Sequence, residues 1–300
     1  MDVGNRDMLR IKRWDPSTIK DDRIVMIIGR RGTGKSVLQR DIMRHMSKRL
    51  EFGIAMTPTE ETVNVYQQHI PDACIYRNFD QQKLEDMIDL QRRTLRAKKT
   101  PRHLYLLLDD CIYDKKVLKS TAMRDLFLNG RHLHLHMNCA VQYLMDLSPD
   151  LRSNIDYVIC TRDVIIANRI KLWKYFFGMF SSYEDFSRVF DKCTENFSTI
   201  VMDNTIARST RIEDCVFWYR ADPDPPAFRM GDDVFWKMSA QHAKTDKQRE
   251  QDERMRDYRT TQAQGKKRGA PLYVQVENEH GNVVPSTDPR HDGPRPTIRM

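Results

Sequence analysis

Residues 29 to 36 read Gly-Arg-Arg-Gly-Thr-Gly-Lys-Ser and fit the spacing G-x-x-x-x-G-K-[ST]. Without a Cβ, Gly29, Gly32 and Gly34 let successive backbone N–H groups turn inward around phosphate oxygens. Arg30, Arg31 and Thr33 fill the variable positions of the same cradle. Lys35 would reach the β- and γ-phosphates, and the Ser36 hydroxyl would bind Mg²⁺. These residue types at this spacing imply binding of ATP or a related triphosphate with Mg²⁺.

A second group follows. Leu104-Tyr105-Leu106-Leu107-Leu108 is an apolar run that ends in Asp109-Asp110. Asp109, at a strand end, is expected to hold Mg²⁺ through water. Asp110 is placed to polarise the attacking water as general base. Alone, two acids at a strand end are an ordinary solvated feature; the phosphate loop upstream gives them a role. Gln142 ends a later apolar run. A neutral amide there could sense the γ-phosphate or orient water, and taken alone it is a polar strand end.

Such groups need a common sheet edge. Arg23 to Ile28 reads as a buried strand bounded by Gly29. Lys35 to Leu50 carries Val37, Leu38, Ile42, Met43, Met46 and Leu50 near one helical stripe. Further strands are expected at Glu51 to Met56, Leu104 to Leu108, His134 to Val141, Tyr157 to Cys160, Ser198 to Met202 and Val216 to Tyr219. A helix should run from an Asp80 cap to about Lys99, and another over Thr121 to Asn129 with Gly130 as its stop. Ser148-Pro149 should open a short helix, and Ser181 with Glu184 a capping box.

Apolar strands alternating with amphipathic helices predict an α/β fold, a P-loop NTPase with a mainly parallel central sheet flanked by helices. The expected organisation is an N-terminal segment 1–22, an ATPase domain 23–237 and a polar, mobile C-terminal tail 238–300.

The chain has 300 residues and is 40% hydrophobic, enough for a sizeable core. It has no run of eighteen apolar residues, so no membrane span is expected. Residues 1–13 lack the apolar stretch of a secretory signal. The six cysteines stand singly, which argues against a disulfide framework or a cysteine zinc site and for core thiols in a reducing compartment. A formal net charge of +8 suits a polyanionic partner, although acidic residues are abundant too.

Gly130-Arg131, then a strand closed by Gln142, resembles the FtsK–HerA superfamily of DNA-pumping ATPases. More specifically, Arg124-Asp125-Leu126-Phe127-Leu128-Asn129-Gly130-Arg131-His132 looks like the DNA-packaging ATPases of nucleocytoplasmic large DNA viruses. So do Leu107-Leu108-Asp109-Asp110-Cys111 and the stretch from Leu151 to Val158, and the resemblance covers about Ile24 to Trp236. It implies an ATP-hydrolysing motor that moves double-stranded DNA into a preformed viral capsid through its portal vertex. It also implies a homo-oligomeric ring, a hexamer, working in the host cytoplasm at the assembly site and carried into the virion. In such a ring, one subunit's arginine reaches the γ-phosphate on its neighbour and stabilises the transition state. The resemblance makes Arg131 the first candidate for that finger and Arg152 the second, and it assigns Gln142 to the γ-phosphate. Many relatives carry Glu where this chain has Asp110, though the Asp-Asp pair is frequent in the packaging branch.

Other signals have plainer readings. His132, His134 and His136 would share one face of a strand, but no Cys, Asp or Glu on that run completes a metal site. Arg92, Arg93, Arg96, Lys98, Lys99 and Arg102 could meet DNA phosphates or simply favour a helix C-terminus. Lys115, Lys116 and Lys119 have similar readings, and Lys266-Lys267-Arg268 lies in the tail. Trp173, Tyr175, Phe176, Phe177 and Phe180 read as core or interface packing. A small-molecule P-loop kinase would need an arginine-rich lid and would not need Gln142 behind Asp109-Asp110. A guanine switch would need Asn-Lys-x-Asp, which is absent. A cellular or plasmid DNA pump of the same superfamily is the nearer alternative.

Overall fold

The computed structural model describes residues 9–111, 115–143, 147–206 and 209–241. Nearly all of the expected tail, including Lys266-Lys267-Arg268, lies outside the described residues.

Among the described residues, nine strands form one sheet. They are β1 (Lys12–Arg13), β2 (Ile24–Ile28), β3 (Phe52–Met56), β4 (Ile75–Tyr76) and β5 (Leu104–Asp109), then β6 (Leu135–Val141), β7 (Tyr157–Cys160), β8 (Thr199–Asp203) and β9 (Val216–Tyr219). Their order is β1-β9-β8-β7-β2-β6-β5-β3-β4. Only β8 runs against its neighbours; the other pairings are parallel. The helices are α1 (Lys35–Met46), α2 (Glu60–Tyr66), α3 (Gln81–Arg96), α4 (Lys115–Lys119), α5 (Thr121–Asn129), α6 (Pro149–Arg152), α7 (Ile166–Phe176), α8 (Tyr183–Cys193), α9 (Ile212–Cys215) and α10 (Asp233–Gln241). None of them is long and apolar enough to cross a membrane.

The strand sequences follow from being covered on both faces. Ile24, Met26 and Ile28 pack in one layer with Leu106, Leu108, Met137 and residues of α3, α5 and α8. Val25 and Ile27 pack in the other with Leu38, Ile42, Met43 and Tyr66 of α1 and α2. With both sides dry, every position of β2, β5, β6 and β7 is buried, and apolar residues run without alternation.

Local differences from expectation have local causes. The α1 helix ends at Met46, because the Ser47 N–H bonds back to Arg44 O at 3.3 Å and tightens the last turn. The α8 cap is Ser182, whose Oγ accepts from Asp185 N at 3.1 Å, one residue on from the expected Ser181–Glu184 box. Gly130 stops α5 in right-handed conformation (φ −51°), so no left-handed cap is involved; a Cβ there would lie 2.5 Å from Leu126 O. Residues ahead of β2 pack on the sheet: β1 pairs with β9, and Trp14 and Ile19 are buried in the α1 layer.

One buried charge ties α1 to the sheet. Asp41 is wholly buried and accepts from the Tyr219 hydroxyl, from Asp222 N at 3.2 Å and from Arg44 Nη2 at 3.0 Å. Truncating it leaves these donors without an acceptor. Asp41→Ala should lower stability by about 3 kcal/mol, and Tyr219→Phe by only about 1 kcal/mol. Urea denaturation of both variants checks this, and equal losses would remove the carboxylate from the anchoring role.

Candidate nucleotide site

Parallel strands deliver their C-terminal ends to one edge. There β2 runs into residues 29–36, β5 ends in Asp109, β6 leads to Gln142 and β7 leads to Thr161. The β2 strand lies between β6 and β7, with β5 on the far side of β6. The ladder continues into the loops: Gly29 N donates to Val141 O at 3.0 Å, Asp110 N to Ala140 O at 3.0 Å and Thr161 N to Ile28 O at 2.9 Å. The phosphate loop, Asp110 and Gln142 are therefore fixed to one another by backbone.

Two glycines meet different demands. Gly34 has φ 89° and caps α1 in the left-handed region, a conformation that suits glycine. Gly29 has no room for a side chain, since a Cβ would fall 1.9 Å from Thr161 Oγ1. That hydroxyl donates to Thr33 Oγ1 at 2.7 Å, and Thr33 Oγ1 donates to Arg30 O at 2.7 Å, which closes the loop. No side chain caps the N-terminus of α1, so its N–H groups and partial positive charge remain free for an anion. Ser36 is exposed, as are Arg30 and Arg31.

Lys35 is 6% exposed, and its Nζ lies 3.4 Å from Arg30 O and 3.6 Å from Asp110 Oδ2. Gln142 Nε2 donates to the same oxygen at 3.1 Å. Asp110 is itself left-handed (φ 50°), and its other oxygen is enclosed without a hydrogen-bond partner. Lys35, Asp110 and Gln142 thus form one connected cluster. Asp109 lies beside it, nearly buried. Burial first, then the Asp110 charge, pushes its carboxyl up to about 6, while Lys35 and the Thr62 and Tyr66 hydroxyls pull the other way. The Tyr66 hydroxyl faces this carboxylate but falls short of full hydrogen-bond geometry.

The two arginines lie elsewhere. Arg131 precedes β6 and Asp156 precedes β7, so their ion pair of 2.5 Å sits at the sheet edge opposite the phosphate loop. Asp156 also accepts from Ile24 N at 2.9 Å and lies 3.8 Å from Arg23. Arg152 places its guanidinium 3.9 Å from the Tyr175 ring centroid and donates to Leu147 O at 3.0 Å.

Sequence reading missed three contributors. The α2 helix brings Thr62 and Tyr66 to Asp109; Thr59 followed by Glu60-Glu61 was an available start signal. Thr161 follows β7 and packs on Gly29. Phe197, 73% exposed, stands in a left-handed turn with Asn196 (φ 61° and 50°), and its ring edge lies 3.9 Å from where a Gly34 Cβ would be. No sequence signal marked it.

The discounted signals resolve plainly. The β6 strand begins at Leu135, so His132 and His134 lie in the preceding turn and do not share a strand face with His136. Burial pushes the His136 imidazole down to about 3. Arg92, Arg93, Arg96, Lys98, Lys99 and Arg102 are all exposed; Arg92 pairs with Asp125 at 2.6 Å and Arg102 with Asp232 at 2.8 Å. Side chains of Lys115 and Lys116 lie outside the described residues. Phe177 and Phe180 are core residues stacked around Phe186, with centroids 5.1 and 5.8 Å away. Five of the six cysteines are buried and all are free; burial pushes the Cys111 thiol up to about 12.

Known proteins share this arrangement of sequence. Protein 088R of Invertebrate iridescent virus 3 is 34% identical over 197 residues, covering 66% of this chain and 75% of that protein. Protein L437 of Acanthamoeba polyphaga mimivirus is 30% identical over 226 residues, covering 72% and 79%. Among solved structures, B204, the DNA-packaging ATPase from Sulfolobus turreted icosahedral virus, superposes with a TM-score of 0.48 at 17% identity, covering 68% of this chain and all of that one. Residues 12–175, from β1 into α7, match the family described as Poxvirus A32 protein, and the chain belongs to that family.

Proposed function

We propose that this chain is an ATP-hydrolysing subunit of a motor that drives double-stranded DNA into a viral capsid. The observation that carries the reading is the Lys35–Asp110–Gln142 cluster at the mouth of the phosphate loop. The family and its viral members support the setting, an infected cell; the host cytoplasm and the virion are our own placement within it.

In this reading residues 29–36 wrap the phosphates, and Lys35 turns from Asp110 to the γ-phosphate. Asp110, freed of its cation, accepts the proton of the attacking water. Gln142, bonded to Asp110, registers whether the γ-phosphate is present. The donor set fits Mg²⁺: Ser36 offers an exposed hydroxyl at the helix start, and Asp109 a carboxylate whose buried charge a cation would stabilise. When bound, Mg²⁺ neutralises charge developing on the phosphate oxygens. The finger comes from a neighbouring subunit of a hexameric ring. Arg131 suits that role better than Arg152, because it is 51% exposed and faces away from its own phosphate loop. Phe197 offers its ring beside Gly34 as a platform for the base.

ATP turnover by the purified chain, with and without long double-stranded DNA, tests the reading. Lys35→Ala should lose turnover, and Asp110→Asn should keep ATP binding while hydrolysis falls about 10²–10⁴-fold. Stimulation by DNA, lost in Lys35→Ala, is expected. Turnover that answers to a small acceptor instead of DNA would make the chain a kinase. Arg131→Ala subunits should regain hydrolysis when mixed with Lys35→Ala subunits, because each supplies what the other lacks.

Asp109 gives a pH signature. Its folded carboxyl titrates near 6, above the ordinary 3.8, so its contribution to stability is present below about pH 4 and lost as pH rises through 6. The cost at pH 8 is about 3 kcal/mol. Asp109→Asn should therefore raise the Tm at pH 8 without nucleotide, flatten the change between pH 4 and 6, and abolish Mg²⁺-dependent hydrolysis. A variant less stable than the parent at pH 8 would contradict this.

Phe197→Ala should raise the KM for ATP roughly five- to tenfold with little change in kcat, as loss of one base-stacking contact predicts. Phe197→Trp should restore it. An unchanged KM in Phe197→Ala would mean the base lies elsewhere.

A further inference from the structure

The sheet edge opposite the phosphate loop carries a second group of side chains able to do chemistry. Asp22, His103 and His134 stand just before β2, β5 and β6, and β6 pairs with both of the other strands. One ligand atom from each lies within 4.8 Å of the other two. His103 Nδ1 is 2.8 Å from Asp22 Oδ1, and His134 Nδ1 is 3.3 Å from Asp22 Oδ2. We propose that Asp22, His103 and His134 form a binding site for a divalent transition-metal ion of the Zn²⁺ class.

The donor set selects the ion. Two imidazoles and one carboxylate suit Zn²⁺ or Fe²⁺, whereas Mg²⁺ and Ca²⁺ take oxygen ligands. The spacing is close to what such an ion needs. Ligand atoms about 2.0–2.1 Å from a tetrahedral ion stand about 3.3 Å apart. The two His–Asp separations, 2.8 Å to Oδ1 and 3.3 Å to Oδ2, and the limit of 4.8 Å across all three ligand atoms bracket that value, so side-chain rotation has to bring the set onto the ion. His134 Nδ1 is cut off from solvent, and its contact with Asp22 Oδ2 at 3.3 Å falls short of hydrogen-bond geometry.

The surrounding charges leave the carboxylate to the imidazoles. Arg23 and Arg131 turn to Asp156, Arg49 to Asp21, and Arg102 to Glu51 and Asp232. In this arginine-rich neighbourhood, the polar contacts of Asp22 among the described residues are to His103 and His134. Both Asp22 (φ 59°) and His134 (φ 51°) hold left-handed backbone, which Asp and His adopt more readily than most residues. Both imidazole side chains are about one-third exposed, which places the site near solvent. The sequence hid this site, because the His132–His134–His136 run offered no carboxylate and the other two ligands, Asp22 and His103, come from just ahead of other strands. A bound ion would pin the starts of the three strands whose far ends carry the phosphate loop, Asp109 and Gln142.

The test uses full-length chain without a histidine tag, stripped with chelator and titrated calorimetrically with Zn²⁺, then with Co²⁺ to read the ligand type by absorption. One equivalent should bind in excess Mg²⁺, with no thiolate-to-cobalt band, and Zn²⁺ should raise the Tm. Asp22→Asn and His103→Ala, each checked for folding by circular dichroism, should bind roughly a hundredfold more weakly and lose the Tm shift. His103 is the more exposed substitution and remains informative if Asp22→Asn misfolds. No saturable binding, binding unchanged in the folded variants, or a thiolate signature would each overturn the site and leave a pair of histidine–aspartate ion pairs.

Discussion

The Asp109 carboxylate ends a strand buried on both faces, and a charge in that position has to be compensated by its neighbours. The compensation comes from three separate elements. The start of α1 brings Lys35, α2 brings the Thr62 and Tyr66 hydroxyls, and β6 brings Gln142, whose amide holds the adjoining Asp110. Without Lys35, the two adjoining carboxylates would be left to the neutral donors of Thr62, Tyr66 and Gln142. The anchoring of α1 by Asp41 to Tyr219 bears on the same problem, since it fixes the helix whose first residue carries that cation. A raised carboxyl is a cost in the folded chain and an advantage to a site built for a cation.

What could be read from sequence depended on how local the physics was. The glycine spacing of residues 29–36 is legible because each glycine answers to a local limit: Thr161 Oγ1 crowds Gly29, and Gly32 and Gly34 hold left-handed backbone (φ 79° and 89°). The central strands are legible because coverage on both faces forces continuous apolar runs. By contrast, α2 buries only Val63 and Tyr66, too little periodicity to announce a helix. Two serines in a row, each with an acid three residues on, leave the α8 cap ambiguous by one position. β1 has two residues and takes its identity from β9, some two hundred residues later. Phe197 meets Gly34 only because the turn before β8 reaches back across the sheet edge, and no window of sequence contains that fact.

The histidines show the same limit from the other side. An alternating run invites the assumption of a strand, and the assumption fails by a single residue: β6 begins at Leu135, with His134 turned out of register at φ 51°. That turn separates His134 from His136 and aims it at Asp22, which is more than a hundred residues earlier in the chain. Register, fixed by the whole sheet, decides which histidines can meet a carboxylate.

The strands of the sheet join its two edges. Asp156 at one end of β2 accepts from Ile24 N, and the other end of β2 becomes the phosphate loop five residues later. Arg131, bound to that same Asp156, is half exposed. If a neighbouring subunit's nucleotide draws Arg131 away, Asp156 loses its closest cation while still holding the β2 backbone. Asp156 already carries a carboxyl raised by burial, against the pull of Ile24 N and both arginines, so that loss would raise it further. An arginine shared between a buried carboxylate in its own chain and a phosphate in the next would then report, at the start of β2, on chemistry at the neighbour's site. The physical warrant for such coupling is that one guanidinium cannot satisfy both anions at once.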